Sequence, residues 1–327
     1  MFRRIVRWVP VLFLMFGATA CDDSTSPGES AVLSVHLTDD PGAVSGVWVD
    51  VAEIYLQGGE DGRVVLLDEP TGWIKVSDLV GTTRMLASDQ EVPPALYSQL
   101  RAVFVAAVLE TEDGGVHVMG DPAELPEGLI QTGDLQCPSC AQSGLKVKIP
   151  NDDLDIEPGE ELALVLDFDI AQSFGHKAGN SGMWVMHPTI MGILIVDVNR
   201  DGIPDEDQAG VIEGNVVLGG GVTIPACPAG TARGFEDFVP TATANTLQDD
   251  EMNPIVRTGT TDAAGAFAID FLQADTYTLG YQGQLDFEGA SLIFAATVDP
   301  TGAVVNQDVV SGVEYTITSA TCQVAGG

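Results

Sequence analysis

The chain consists of short runs in which apolar and polar residues alternate, with turn residues between them. Successive side chains of a strand point to opposite faces, so such alternation marks strands with one buried side. The clearest run is Leu162-Ala163-Leu164-Val165-Leu166-Asp167-Phe168-Asp169-Ile170, where Leu162, Leu164, Leu166, Phe168 and Ile170 share a face. Further strands are expected at 47–51, 64–67, 102–108, 145–149, 211–218, 291–298 and 314–319. Asp40-Pro41-Gly42, Glu60-Asp61-Gly62, Asp113-Gly114-Gly115 and Asp299-Pro300-Thr301-Gly302 punctuate them as turns. No long stretch repeats apolar residues at helical spacing, and helix is expected only in short turns, around 77–86. Many short strands with this punctuation predict an all-β chain with two β-sandwich domains in tandem. The break falls at 197–209, an Asp-rich stretch, which leaves blocks at 31–196 and 210–323.

The first thirty residues follow a different pattern. Arg3, Arg4 and Arg7 precede an apolar run from Val9 that ends in Gly17-Ala18-Thr19-Ala20. About 20 apolar residues are needed to span a bilayer, so this shorter run reads as a signal peptide at 1–20. Ala18-Thr19-Ala20-Cys21 resembles the bacterial lipobox, which implies cleavage before Cys21 and its lipidation. Polar residues at 21–30 then form a flexible tether. The expected location is the bacterial cell envelope, on its periplasmic side or outer surface, with the membrane reached through the lipid anchor.

Charge narrows the partners. The 327 residues include 13 Lys and Arg against 48 Asp and Glu, for a formal charge of −35. Loss of Arg3, Arg4 and Arg7 with the signal takes the mature chain to −38. Such a chain attracts cations and is repelled electrostatically by nucleic acid and anionic membrane surfaces.

Two family resemblances follow from ordered motifs. Val35-His36-Leu37-Thr38-Asp39-Asp40-Pro41-Gly42, Val76-Ser77-Asp78-Leu79, Val92-Pro93-Pro94-Ala95-Leu96-Tyr97, Ser143-Gly144-Leu145-Lys146-Val147, Leu166-Asp167-Phe168-Asp169-Ile170 and His187-Pro188-Thr189-Ile190 run through the first block. This series resembles bacterial domain-of-unknown-function family 4382, and no catalytic residue comes with that resemblance. In the second block, Ile212-Glu213-Gly214-Asn215-Val216-Val217 and Thr260-Thr261-Asp262-Ala263-Ala264-Gly265-Ala266-Phe267-Ala268-Ile269 resemble a carboxypeptidase regulatory-like domain, a small prealbumin-like sandwich. That resemblance implies a carbohydrate-binding-like fold, and a fold alone does not fix a function.

The strongest candidate chemistry is a calcium loop. Asp197, Asn199, Asp201 and Asp205 occupy loop positions 1, 3, 5 and 9, with Gly202 at 6 and the Ile203 carbonyl at 7. Alternate residues of a tight loop aim oxygens inward, as a hard cation needs. Gln208 stands at position 12, which leaves Asp207 or Glu206 to supply the last carboxylate. Bound Ca2+ there would stiffen the junction between the blocks.

With Cys21 lipidated, Cys137, Cys140, Cys227 and Cys322 remain as disulfide candidates, an even count suited to an oxidising compartment. One pairing gives each block its own bridge. Redox catalysis at Cys137-Pro138-Ser139-Cys140 would need a helix after the first thiol, but a strand pattern follows, and zinc would need further ligands such as His117, His176 or His187. Alternation places Asp167 and Asp169 opposite the apolar stripe, either on a solvated face or, with Asp39 and Asp40, at a cation or ligand site. Trp48, Tyr55, Trp73 and Trp184 are either core residues or an exposed glycan-binding platform. Gly-x-Ser-x-Gly, His-Glu-x-x-His and phosphate-binding glycine loops are all absent from the sequence. The expected role is a non-catalytic binding or scaffold protein with an envelope protein or glycan as partner; the alternative is a carbohydrate-binding module.

Overall fold

The computed structural model describes residues 30–40, 44–59, 62–80, 82–140, 144–149, 154–177, 183–196, 209–228, 230–249, 252–287, 289–306 and 308–324. The described chain is all-β. The first unit contains β1 (Ala31–Asp40), β2 (Gly46–Gly58), β3 (Gly62–Leu67), β4 (Ile74–Lys75), β5 (Arg84–Val92), β6 (Ala95–Glu110) and β7 (Val116–Met119). It continues with β8 (Gly133–Gln136), β9 (Leu145–Val147), β10 (Leu154–Ile156), β11 (Glu161–Asp169), β12 (Phe174–Lys177), β13 (Trp184–Met186) and β14 (Thr189–Val196). One helical turn, α1 (Ile170–Ser173), follows β11. The second unit contains β15 (Gly210–Leu218), β16 (Pro240–Gln248), β17 (Pro254–Thr258), β18 (Thr260–Thr261), β19 (Ala266–Leu272) and β20 (Asp275–Tyr281). It ends with β21 (Gln284–Phe287), β22 (Ala290–Asp299), β23 (Gly302–Val305) and β24 (Val309–Val324).

Each unit stacks two sheets. In the first, a four-stranded sheet in the order β14-β11-β1-β5 faces a ten-stranded sheet built on β12-β13-β8-β7-β6-β2-β3. β1 runs parallel to β11, with Leu33 beside Leu162, Val35 beside Leu164 and Leu37 beside Leu166. These residues, with Phe168 and Ile170, fall in one buried cluster with Ile54, Leu56, Leu100 and Phe104 of the opposite sheet. The apolar stripe read from the alternation of β11 is therefore the inner face of the four-stranded sheet. In the second unit, the order β18-β19-β15-β24-β22-β21 faces β17-β16-β20-β23 across Phe238, Phe267, Tyr277, Phe294 and Tyr315. Burial pushes the Tyr277 phenol up to about 12 and raises that of Tyr315 as well.

The turn expected from Asp262 and Gly265 forms as a closed loop. The Asp262 carboxylate accepts the backbone N–H groups of Ala264 and Ala266 at 2.9 and 2.8 Å. Gly265 takes φ +91°, and a Cβ there would stand 2.4 Å from the Val216 carbonyl oxygen. Only glycine fits that position without displacing β15.

The short helical turn expected around 77–86 forms only at the start of that range. Val76–Asp78 forms a single 3-10 turn, and the chain is extended in β5 from Arg84. The Thr38 hydroxyl lies within hydrogen-bond reach of the Leu79 and Thr82 carbonyls, at 3.1 and 2.8 Å, while Val76 is fully buried. Tertiary contacts at both ends outweigh the weak local preference for helix.

Candidate functional site

The outer face of the four-stranded sheet is not left to water. Alternation turns Ala163, Val165, Asp167 and Asp169 outward from β11. Cross-strand register places Ile195, Ile193 and Met191 of β14 beside Ala163, Val165 and Asp167. The second unit covers this face. Val165, Ile193 and Ile195 pack with Ala209 and with Phe271 from β19 in one buried cluster. Phe271 takes φ +54°, a conformation that costs an L residue about 1–3 kcal/mol. Burying its ring in this seam contributes about 1.5–3 kcal/mol in the other direction.

Among the described residues, three ion pairs cross the seam. Arg257 of β17 and Asp167 of β11 form a salt bridge, with side chains 3% and 2% exposed. Arg257 also donates to the Asp270 carbonyl at 3.3 Å. Lys148 reaches Asp249 at 3.3 Å. Burial pushes the Asp249 carboxyl up, but hydrogen bonds from Asn253 and the Lys148 ammonium outweigh it, so the group sits below its ordinary value. Arg233 donates to both carboxylate oxygens of Glu112, at 3.0 and 2.6 Å, from a position stacked 3.6 Å above the Phe287 ring. The hydrogen bond to Glu112 leads the causes that raise the Arg233 pKa. Burial raises the neighbouring Asp237.

The sequence from Gly210 onward contains two cationic residues, Arg233 and Arg257, against fourteen carboxylates. Both arginines bind carboxylates of the first unit. Removing one partner of a buried pair strands the other charge and costs about 3–5 kcal/mol, so the seam resists opening. A shallow recess of about 10 Å³, open to solvent, lies beside Arg257 and is lined by Thr38, Asp39, Thr258, Gly259, Thr260, Ala268, Asp270 and Phe271. That is below the range of ~300–1,000 Å³ typical of small-molecule pockets.

The structure places the sequence-read residues as follows. Asp167 and Asp169 do not lie on a solvated face; they are 2% and 5% exposed, because the second unit covers that side of β11. Asp39 is also buried, at the recess. Cys137 is bonded to Cys140, and Cys227 to Cys322, one bridge per unit. Cys140 is fully buried, and sulfurs joined in a disulfide offer no thiolate to ligate zinc. His36 and His117 are buried and His187 is exposed. Trp48 and Trp73 are half-buried against Val108, Val116 and Val118, together with Leu125 and Leu129, rather than displayed as a platform. Tyr55 is buried beneath Arg63, and Trp184 packs 5.9 Å from His117. Cys21 and the loop residues Asp197, Asn199, Asp201, Ile203, Asp205 and Asp207 lie outside the described residues. Among the described residues, no helix is long and apolar enough to cross a membrane.

Sequence reasoning did not single out Arg257, Arg233, Glu112, Lys148 or Asp249. The available signal was that Leu162–Leu166 and Met191–Val196 are unbroken apolar runs, the signature of strands buried on both faces.

Residues 30–188 match a family described as Domain of unknown function (DUF4382), a span that stops just short of β14. No curated protein matches the chain. Among solved structures, a leucine-rich repeat protein from Bacteroides thetaiotaomicron VPI-5482 is 8% identical, over 90% of this chain and 26% of that one, at a TM-score of 0.17. The chain thus spans about a quarter of that protein's length. The major pilin protein (T3.2) from Streptococcus pyogenes serotype GAS13637 is 9% identical, over 89% of this chain and 98% of that one, at a TM-score of 0.15. Scores this low carry no argument about fold or function.

Proposed function

We propose that this protein is a lipid-anchored, non-catalytic component of a bacterial cell envelope, and that its two sandwiches are locked together to present a fixed surface to another envelope protein or a glycan. The observation that carries this reading is the seam, where buried apolar side chains and an ion pair join the units rather than enclosing a substrate-sized cleft. Two disulfides fit an oxidising, extracytoplasmic compartment. The lipobox-like Cys21 supplies the anchor, and several acyl chains hold firmly at roughly 0.8 kcal/mol per buried methylene. The second unit is assigned to the carboxypeptidase regulatory-like type on its Asp262–Phe267 motif. A Ca2+ ion held by Asp197, Asn199, Asp201, the Ile203 carbonyl and Asp205, with Asp207 in reserve, stiffens the junction between the units.

Cell fractionation tests the anchor. The native protein is expected in the membrane fraction and Cys21→Ala in the soluble one; a Cys21→Ala protein that stays with membranes contradicts the reading. Calcium is tested by thermal melting with the ion and with a chelator. The expected rise in Tm with calcium disappears in Asp201→Ala, and equal melting in both buffers removes calcium from the proposal.

A further inference from the structure

The disulfide of the second unit reaches beyond that unit. Cys227 sits between β15 and the 3-10 turn Phe235–Asp237, and it is bonded to Cys322 near the end of β24. Val222 and Ile224 pack the start of this segment onto the core of the second unit. Further on, its backbone bonds turn inward. The Cys227 N–H donates to the Thr231 carbonyl at 3.1 Å, and the Thr231 N–H donates to the Pro228 carbonyl at 3.0 Å. Neither bond reaches a strand, so the bridge is the covalent tie between this segment and the sheet.

Arg233 is aimed from that segment. Its Nε donates to the Cys227 carbonyl at 2.6 Å, and its guanidinium lies 3.6 Å above the Phe287 ring. Nη1 and Nη2 then meet the two carboxylate oxygens of Glu112, at 3.0 and 2.6 Å. Glu112 needs no such help. It stands at the tip of the β6–β7 hairpin, which a Thr111–Gly115 backbone bond of 2.9 Å closes, and the Asp113 carboxylate accepts the Gly115 N–H at 3.3 Å. A bidentate guanidinium–carboxylate pair requires both groups to be aligned. On the side of the second unit, that alignment runs through the carbonyl of a bridged cysteine. Asp237, 3.3 Å from Nη1, offers the same guanidinium a second carboxylate inside its own unit.

We propose that the Cys227–Cys322 disulfide is a redox-sensitive clamp on the rim of the seam: oxidised, it aims Arg233 at Glu112, and reduction by a dithiol lets Arg233 fall back on Asp237 and opens the rim. The inference rests on the seam and not on the lipid anchor or the Ca2+ loop. Cys227 is fully buried and Cys322 only partly so, which makes the Cys322 sulfur the point of attack. A thiolate of the dithiol bonds to that sulfur, the S–S bond breaks, and Cys227 leaves as a thiolate. The second thiol of the reductant then displaces Cys322. The reductant departs as a disulfide, and its two electrons and two protons end on the two cysteines. Arg257 and Asp167 sit on β17 and β11, neither of which carries a bridged cysteine, so the buried part of the seam stays closed.

The protein from Cys21 onward, in detergent micelles, is equilibrated with graded ratios of reduced to oxidised dithiothreitol. Thiols are trapped with iodoacetamide, and the Cys227 and Cys322 peptides are quantified by mass spectrometry. Coupling is reciprocal: if the bridge supports the Arg233–Glu112 pair, the pair protects the bridge by the same factor. Glu112→Gln is therefore expected to raise the equilibrium constant for reduction of this bridge about tenfold. Lys148→Gln, which removes a seam pair that the bridged segment does not carry, is expected to stay within about twofold of the unsubstituted protein. Near-UV circular dichroism checks that both variants are folded before reduction; if Glu112→Gln is not, Glu112→Asp is read in its place. A change within about twofold for the Glu112 variant overturns the proposal. An equal rise in Lys148→Gln overturns it as well, because reduction then unfolds the second unit as a whole. A bridge that stays oxidised at every ratio removes the switch.

Discussion

On the four-stranded sheet of the first sandwich the outward side chains include Val165, Asp167, Asp169, Ile193 and Ile195, all buried under the second unit. On the ten-stranded sheet they include Arg101, Val105 and Lys146, each at least partly open to solvent. The two faces belong to one domain and one core, yet charge does different work on each. Beneath the second unit a carboxylate must be paired, because desolvation makes a lone charge expensive. On the open face water screens each charge, so like charges can stand side by side at modest cost. Position relative to the second unit, more than residue type, decides whether a charge holds the fold together or faces outward.

The largest effect is expected at the covered face. Arg257→Ala strands Asp167 and should lower stability by about 3–5 kcal/mol in urea unfolding, while the double variant with Asp167→Ala should recover part of that loss. A single-variant loss below about 1 kcal/mol would put the pair in a wetter setting than its burial implies. Glu112→Gln, at the partly exposed rim of the seam, should cost less, about 1–2 kcal/mol.

Acid provides a third comparison. Asp249 in the seam and Asp275, which accepts backbone N–H groups of Thr246, Leu247 and Thr276, both sit below the ordinary carboxylate value of 3.8, hydrogen bonding having outweighed the upward push of burial. A depressed folded-state pKa contributes stability that is present above the unfolded value and lost as pH falls through the folded one. Tm should therefore decline below about pH 4, and Asp249→Asn should flatten the decline. The open face should show the smallest changes. Glu53→Gln, which removes the exposed ion pair with Arg63, should cost under about 1 kcal/mol. A larger loss would mean that this pair is shielded from water.

The sequence showed the inner faces well and the outer ones poorly, for a physical reason. Leu162, Leu164, Leu166, Phe168 and Ile170 repeat with the period of a strand, and that local pattern survives folding because the core lies on one side. The turn at Asp262–Gly265 was also legible, since its hydrogen bonds stay within five residues. The seam was not, because it depends on which face meets a second unit whose first strand begins some forty residues further on. Asp167 reads as solvated within its own strand and becomes buried only when Arg257, 90 residues away, arrives. The short turn expected around 77–86 stops at Asp78 for a similar reason, since a hydroxyl on β1 lies within hydrogen-bond reach of the Leu79 and Thr82 carbonyls. Register likewise brings Arg101 to Lys146, and neither residue stands out alone.

The seam predicts that the two sandwiches unfold as one body, and the placement of tryptophan allows a direct test. Of the four tryptophans, Trp8 precedes the first unit, Trp48, Trp73 and Trp184 lie in it, and in the chain from Cys21 onward only these three remain. Tryptophan fluorescence therefore reports the first unit alone, while Arg257→Ala changes only the second. Urea unfolding of the chain from Cys21 onward, followed by that fluorescence, should show the midpoint of the first unit moving down in Arg257→Ala. A midpoint equal to that of the unsubstituted protein would mean that the units unfold independently, and would contradict a seam that locks them together.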